Sequence, residues 1–218
     1  MATPAIAVVY YSGSGHTKVL ADAVVSAAAS TGATAALLRV DELTEESWNF
    51  IDEADAIIFG APTYMGTAPS AFHAFAEKTA GRWAVQKWHN KLGAGFTNAA
   101  CKAGDKNSTL DYFATFGAQH GMNWINLGLL PGWKSTKGTE HDLNRFGYFN
   151  GAAAQTFSDV GIEGVHPADI ATAAHLGRRV AEITAVFAAG KAALENLNQE
   201  NRTSESNTSD RELISTGG

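Results

Sequence analysis

Six small and polar residues follow the first apolar run of the chain. They are Ser12, Gly13, Ser14, Gly15, His16 and Thr17. Glycines let backbone N–H groups converge on a ligand, the hydroxyls add donors, and a helix that begins there adds positive potential. The loop lacks the Gly-Lys-Ser/Thr ending of a Walker A motif, and Lys18 stands where a dinucleotide fingerprint has its third glycine. The pattern therefore favours one terminal phosphate over a pyrophosphate, with an ordinary glycine-rich turn as the alternative.

Two further loops of unusual composition follow apolar runs. The second combines a fixed turn, amide donors, an aromatic face and a polarizable side chain, which suits a flat ligand. Its residues are Pro62, Thr63, Tyr64, Met65 and Gly66. The third loop begins with Thr97, Asn98 and Ala99 and continues in small residues to Asp105. Taken alone, the second loop is equally typical of a tight turn whose side chains pack on the body.

Apolar runs alternate with amphipathic stretches, which predicts alternating strands and helices. The predicted strands cover residues 5–11, 33–40, 54–60, 92–97 and 124–130. The predicted helices start at Thr17 and at Ser70, Leu110 and Pro167, and the last one ends near Ala193. This alternation implies an α/β fold with a parallel sheet covered on both faces. In the doubly wound strand order 2-1-3-4-5, strands one, three and four are neighbours, so the three loops line one crevice.

The composition limits the class of protein. With 218 residues, of which 45% are hydrophobic and 17% charged, we expect one globular domain over residues 1–193. Residues 194–218 contain few large apolar side chains, so we expect a disordered tail. A net charge of −6 argues against nonspecific binding of nucleic acid. We expect neither a signal peptide nor a membrane span, and the single cysteine, Cys101, fits a reducing, cytoplasmic compartment.

Several segments together resemble the flavodoxin-like family, above all the WrbA-type NAD(P)H:quinone oxidoreductases and related FMN reductases. The resemblance covers roughly residues 6–189. It is carried by YSGSGHT at 11–17, GAPTYMG at 60–66, KLGAGFT at 91–97, QHGM at 119–122 and GRRVAEI at 177–183. It implies a flavodoxin-like doubly wound sheet of five parallel strands in the order 2-1-3-4-5, with one bound FMN. Residues 133–149 depart from the family pattern.

The resemblance also implies a role for each candidate residue. The FMN phosphate lies on the first loop and the isoalloxazine ring lies against the second, while Thr97, Asn98 and Ala99 also contact the flavin. NADH or NADPH reduces the flavin, and a quinone or flavin acceptor then takes two electrons in a ping-pong reaction at the same site. His120 matches a family histidine near the ring and is the expected catalytic residue. Trp83 matches a family tryptophan at the mouth and is the expected substrate-binding residue.

Structural alternatives exist for these two assignments. His120 at a helix end is also typical of a histidine that interacts with helix carbonyls. Trp83 and Trp88 are five residues apart and are also typical of aromatic packing. No metal site is expected, because His73 and His89 lack partners at metal-ligand spacing.

The number of indole side chains predicts self-association. Aromatic residues are enriched at interfaces, and one small core does not require so many. The four in question are Trp83, Trp88, Trp124 and Trp133. We therefore expect a homo-dimer or homo-tetramer in which a neighbouring subunit completes the mouth. A one-electron carrier of the flavodoxin kind and a flavin-binding regulatory module are the alternatives to an enzyme.

Overall fold

A computed structural model describes the backbone of residues 3–215 and the side chains of residues 3–199. Six strands alternate with helices along this part of the chain. The strands are β1 (Ala5–Tyr10), β2 (Thr34–Arg39), β3 (Ala56–Pro62), β4 (Leu92–Ala99), β5 (Asn123–Trp124) and β6 (Ala152–Gln155). The α-helices are α1 (His16–Ala29), α2 (Glu45–Glu53), α3 (Ser70–Lys78), α4 (Ala80–Ala84), α5 (Lys106–Gln119) and α6 (Pro167–Ser215), and a 3₁₀ turn covers Ile162–Gly164.

The strands form one parallel sheet in the order β2-β1-β3-β4-β5, and β6 also pairs with β4. The predicted order 2-1-3-4-5 is confirmed. Alternate residues of β1 point to opposite faces, so Ile6 and Val8 lie in one apolar cluster and Ala7 and Val9 in the other. Helices α1 and α6 cover the first cluster, and helices α2, α3 and α5 cover the second. Burial on both faces explains why these strands are continuous apolar runs.

The fifth strand of the prediction was wrong in its extent. Only Asn123–Trp124 pairs with the start of β4, and Ala152–Gln155 pairs with its end. The predicted strand at residues 124–130 is apolar for another reason: Ile125 and Leu127 are buried in the cluster that α6 covers. Burial and strand pairing leave the same pattern in a sequence. The sheet therefore has six strands, with residues 125–151 inserted between β5 and β6.

Four helix assignments also differ from the prediction. Helix α2 was missed, although Thr44 and Ser47 form a capping box at its start, with Thr44 Oγ1 3.2 Å from the Ser47 amide. Helix α4 was missed too, and α5 begins at Lys106 and not at Leu110. Helix α6 continues to Ser215 and not to about Ala193, and residues 191–215 contain neither glycine nor proline to end it. The division into a domain of residues 1–193 and a tail stays a prediction, and residues 216–218 lie outside the described part. Within residues 3–215, no helix is long and apolar enough to cross a membrane.

Candidate functional site

Three loops meet in a cleft at the carboxyl edge of the sheet. They follow β1, β3 and β4, as the strand order predicts. The predicted residues that line this cleft are Ser12, Gly13, Ser14, His16, Thr17, Pro62, Thr63, Tyr64, Asn98 and Ala99. Ala100, Thr156 and Ser158 also line it. Gly15, Met65 and Gly66 lie in the same loops next to lining residues, and Thr97 lies beneath them, fully buried.

The first loop presents backbone donors at the start of α1. Gly15 is the N-cap residue and has φ +88°, a conformation that favours glycine. Ser12 Oγ accepts from the Lys18 amide at 3.3 Å, which fixes the loop against the helix. Among the described residues, none accepts a hydrogen bond from the amides of residues 13–17. These amides and the N-terminus of α1 form a cradle suited to an anion.

Both glycines of the first loop have close neighbours, and Gly15 also has the positive φ that favours glycine. A Cβ atom on Gly13 would lie 2.7 Å from Tyr64 Oη, and one on Gly15 would lie 2.8 Å from Ile162 Cγ2. The His16 ring is engaged elsewhere, because its Nε2 donates to the Val160 carbonyl at 2.9 Å. His16 can therefore meet a phosphate through its backbone, while its side chain holds the loop that contains Val160.

Buried hydroxyls hold the second and third loops together. Thr63 Oγ1 lies 2.9 Å from Thr97 Oγ1 and 2.8 Å from Thr109 Oγ1. The Thr63 amide donates to the Asn98 carbonyl at 2.8 Å. The hydroxyls of Thr63 and Thr97 thus hydrogen-bond to each other, so Thr63 presents mainly its backbone to the cleft. Met65 has φ +51° and a fully exposed side chain, an unusual conformation for a residue with a Cβ.

A fourth wall of the cleft comes from residues 156–164, which the sequence did not indicate. Thr156 Oγ1 donates to Asn98 Oδ1 at 3.1 Å, and the Thr156 amide donates to the Ala99 carbonyl. This segment follows β6, whose small residues gave only a weak strand pattern. Its place beside the cleft depends on the pairing of β6 with β4, and no local motif reports that pairing.

Trp83 and His120 lie in a different pocket, at the opposite edge of the sheet, where the parallel strands begin. Its lining residues are Ala76, Glu77, Thr79, Ala80, Trp83, Gln119 and His120. The Asn90 amide donates to the Gly121 carbonyl just before β4 begins, whereas the cleft lies where β4 ends. Eight residues of strand at about 3.3 Å each separate the two edges by over 20 Å. The structure therefore does not bring Trp83 and His120 to the cleft of their own subunit.

His120 is buried in its pocket. Thr79 Oγ1 donates to the Ala76 carbonyl at 2.6 Å, so it accepts from His120 Nε2 at 2.9 Å. Nε2 therefore carries the proton, and Nδ1 is buried without a partner among the described residues. Burial lowers the pKa of His120. Its ring lies 4.5 Å from the ring of Trp88, so the side chain packs in the core and does not interact with helix carbonyls.

The residues of the cleft fit a flavin that ends in one phosphate. The cradle of residues 13–17 has no room for side chains at Gly13 and Gly15, and it opens toward Pro62 and Tyr64, which offer flat apolar faces. Within the described residues, no group of three His, Cys, Asp or Glu side chains is placed to hold a metal ion. A parallel sheet of this order with such a cleft at its carboxyl edge defines the flavodoxin-like class.

Known proteins resemble the chain along most of its length. The sequence model of the Flavodoxin family matches residues 8–93. The chain is 40% identical over 179 residues to Flavodoxin FldP of Pseudomonas aeruginosa, a match that covers 81% of this chain and 94% of that protein. It is 32% identical over 205 residues to an NAD(P)H dehydrogenase (quinone) of Rhizobium johnstonii, covering 84% and 98% respectively.

A solved structure agrees with these matches. The flavodoxin, WrbA-like protein from Agrobacterium tumefaciens superposes with a TM-score of 0.66 at 35% identity, over 82% of this chain and 96% of that one. The chain belongs to the flavodoxin-like family.

Proposed function

We propose that the chain is an FMN-dependent oxidoreductase that transfers two electrons from NADH or NADPH to a quinone or similar small acceptor. The observation that carries this proposal is the cleft itself. It is lined both by the amides of residues 13–17, which have no acceptor among the described residues, and by the apolar faces of Pro62 and Tyr64, on which a flat ring can stack. A relative named NAD(P)H dehydrogenase (quinone), matched over 84% of this chain, supports the acceptor class.

In this reaction the chain binds and orients its cofactor. FMN, when bound, supplies a ring that accepts a hydride and passes two electrons on. The amides of residues 13–17 hold the phosphate, and the buried hydroxyls of Thr63, Thr97 and Thr109 fix the distance between the loops on either side of the ring. The exposed side chains of Tyr64 and Met65 offer apolar contacts beside the ring. Since donor and acceptor use one ring face in turn, the kinetics are ping-pong.

Self-association belongs to the same proposal. Trp83 is half-exposed and lies with His120 over 20 Å from the cleft, so these residues can act only at the cleft of a neighbouring subunit. A homo-dimer or homo-tetramer that joins the two edges gives Trp83 its substrate-binding role and His120 its catalytic role. A monomeric mass by light scattering, with full activity, contradicts this arrangement.

The decisive experiment is a spectrum followed by rapid kinetics. The purified protein should be yellow, heat should release a flavin with the mass of FMN, and NADH or NADPH should bleach the bound flavin in a stopped-flow instrument. A benzoquinone should then restore the colour. Double-reciprocal plots of initial rate against NADH or NADPH concentration, taken at several quinone concentrations, should give parallel lines. Release of FAD, or no flavin binding with excess FMN, overturns the proposal; intersecting lines overturn the ping-pong mechanism.

A one-electron carrier is the second candidate. It is favoured by the 40% identity to a protein named flavodoxin and by the exposed acidic residues Asp105, Asp159 and Glu163, which lie on the loops around the cleft. A carrier needs an exposed ring edge and charged groups that guide a protein partner. Such a protein would bind FMN but would not be bleached by NADH or NADPH alone, so the same stopped-flow experiment separates the two candidates.

A further inference from the structure

Four successive carbonyls of the third loop accept hydrogen bonds from side chains that lie behind the loop. The acceptors are Ala100, Cys101, Lys102 and Ala103. Gln155 Nε2 lies 2.8 Å from the first carbonyl oxygen and Tyr148 Oη lies 2.9 Å from the fourth. Lys106 Nζ lies 3.2 Å from the second and 2.8 Å from the third. Three side chains from three segments thus fix the orientation of four peptide groups.

The N–H groups of these peptides point the other way. In a trans peptide the N–H is antiparallel to the preceding C=O, and no cis bond occurs in the described chain. Each amide of residues 101–104 therefore points away from the side chain that binds the preceding carbonyl, and no described residue accepts a hydrogen bond from these amides. Ala99 and Ala100 line the cleft, so this run of donors begins at its rim.

Lys106 is unusual because it is completely buried and has no carboxylate partner among the described residues. Its Nζ lies 4.6 Å from the ring centroid of Phe146 and 5.6 Å from that of Tyr148, both in the insertion between β5 and β6. The nearby carboxylate of Asp169 is taken by Arg145, which it meets through both oxygens at 2.8 Å. A buried cation held only by carbonyls and rings destabilises a fold, so its presence calls for a function.

We propose that Lys106, with Gln155 and Tyr148, is a positioning residue that directs the N–H groups of the third loop to the pyrimidine edge of the flavin. This inference rests on the FMN binding proposed above. A flavin that accepts a hydride gains two electrons and one proton, and so carries one negative charge at that edge. These N–H groups, with an ammonium behind two of the four peptides, stabilise this charged form more than the oxidised one.

The test compares two lysines, one in the proposed arrangement and one outside it. Lys106→Met keeps the length and volume of the side chain but removes the charge and both hydrogen bonds, whereas Lys134→Met removes an exposed charge in the insertion between β5 and β6. We expect Lys106→Met to weaken FMN binding at least tenfold in a fluorescence titration. We also expect it to lower the midpoint potential of the bound FMN, by about 30 mV for each tenfold preference lost by the reduced form. Lys134→Met should match the wild type in both measurements.

Two further measurements distinguish a positioning role of Lys106 from a merely structural one. Tyr148→Phe removes one donor but keeps the ring, and should lower affinity and potential in the same direction by a smaller factor. The unfolding midpoint of flavin-free Lys106→Met should not fall below that of the wild type, because a merely structural lysine would lower stability with affinity. If wild-type protein binds no FMN, both proposals fail. If it binds FMN and Lys106→Met and Tyr148→Phe behave like Lys134→Met, only the role of Lys106 is overturned.

Discussion

Replacing Lys106 by Met should change how the stability of the protein depends on pH. Burial lowers the pKa of Lys106 from 10.5 to about 8, while the nearby Asp169 raises it and Arg145 lowers it. Cys101 and Tyr148 are the other titratable groups that face the ammonium. In the unfolded chain the lysine keeps its ordinary pKa, so between pH 8 and 10.5 the unfolded state binds more protons than the folded state.

The sign and the size of the effect follow from this difference. Wild-type stability gains from this group as the pH rises from 8 to 10.5, and below pH 8 the full destabilisation is present. One pKa unit corresponds to about 1.4 kcal/mol, so the drop from 10.5 to about 8 amounts to about 3 kcal/mol. Met carries no charge, so the variant lacks this destabilisation. The free energy of unfolding of Lys106→Met minus that of wild type should therefore fall by about 3 kcal/mol between pH 7 and pH 10.5.

Urea denaturation of the flavin-free proteins, followed by far-UV circular dichroism at half-unit steps from pH 7 to pH 10.5, measures this difference. Other groups titrate in this range, but they do so in both proteins and cancel in the difference. Lys102→Met is the control, since its exposed side chain should give a difference that does not change with pH. A difference between Lys106→Met and wild type that stays constant, or grows, from pH 7 to pH 10 would refute the assignment of Lys106 as a buried ammonium.

Four other substitutions test the fold and the cleft. Gly15→Val should abolish FMN fluorescence quenching, with the circular dichroism spectrum retained, because Gly15 has φ +88° and a Cβ would meet a neighbour at 2.8 Å. Gly177→Ala should lower the free energy of unfolding by about 1–3 kcal/mol, because its Cβ would clash with the Val24 carbonyl oxygen. Gly190→Ala in the same helix is the control: its Cβ would meet nothing within 4 Å, so this substitution should raise the free energy of unfolding by up to about 1 kcal/mol. Asp169→Asn should lower it by about 3–5 kcal/mol, since a buried guanidinium loses its carboxylate; a loss below about 1 kcal/mol in urea titrations would contradict the buried ion pair.

The sequence, with its family resemblance, was sufficient to predict the sheet order and the convergence of three loops. Continuous apolar runs predicted strands buried on both faces, and the resemblance to the flavodoxin-like family implied their order, which places the three loops side by side. The residues of the first loop could be identified because glycine and serine there serve backbone geometry, which leaves a local pattern. By contrast, the contacts of His16 with Val160 and of Arg145 with Asp169 join residues far apart in the chain, so no local sequence pattern predicts them.

The placement of His120 and Trp83 shows a different limit. A helix that follows a strand returns the chain to the opposite edge of the sheet, and 14 residues of α5 at about 1.5 Å each span that distance. His120 at the end of α5 therefore had to lie away from the loops at strand ends, and this step was available from the sequence alone. The resemblance to a family whose site residues include a histidine placed His120 near the flavin, and the proposed second subunit would reconcile that role with its position.

The insertion between β5 and β6 has a consequence for how the protein folds. The start of β4 finds its partner Asn123 by closing a loop of about 30 residues, but the end of β4 pairs with Ala152, over 50 residues away along the chain. Closing the longer loop costs more chain entropy, and contacts of high sequence separation form late. Tyr148 and Gln155, which hold the third loop, lie on this late segment. The pairing of β1, β3 and β4 can therefore form before the cofactor cleft matures, because the side chains that hold the third loop reach it only once β6 has paired.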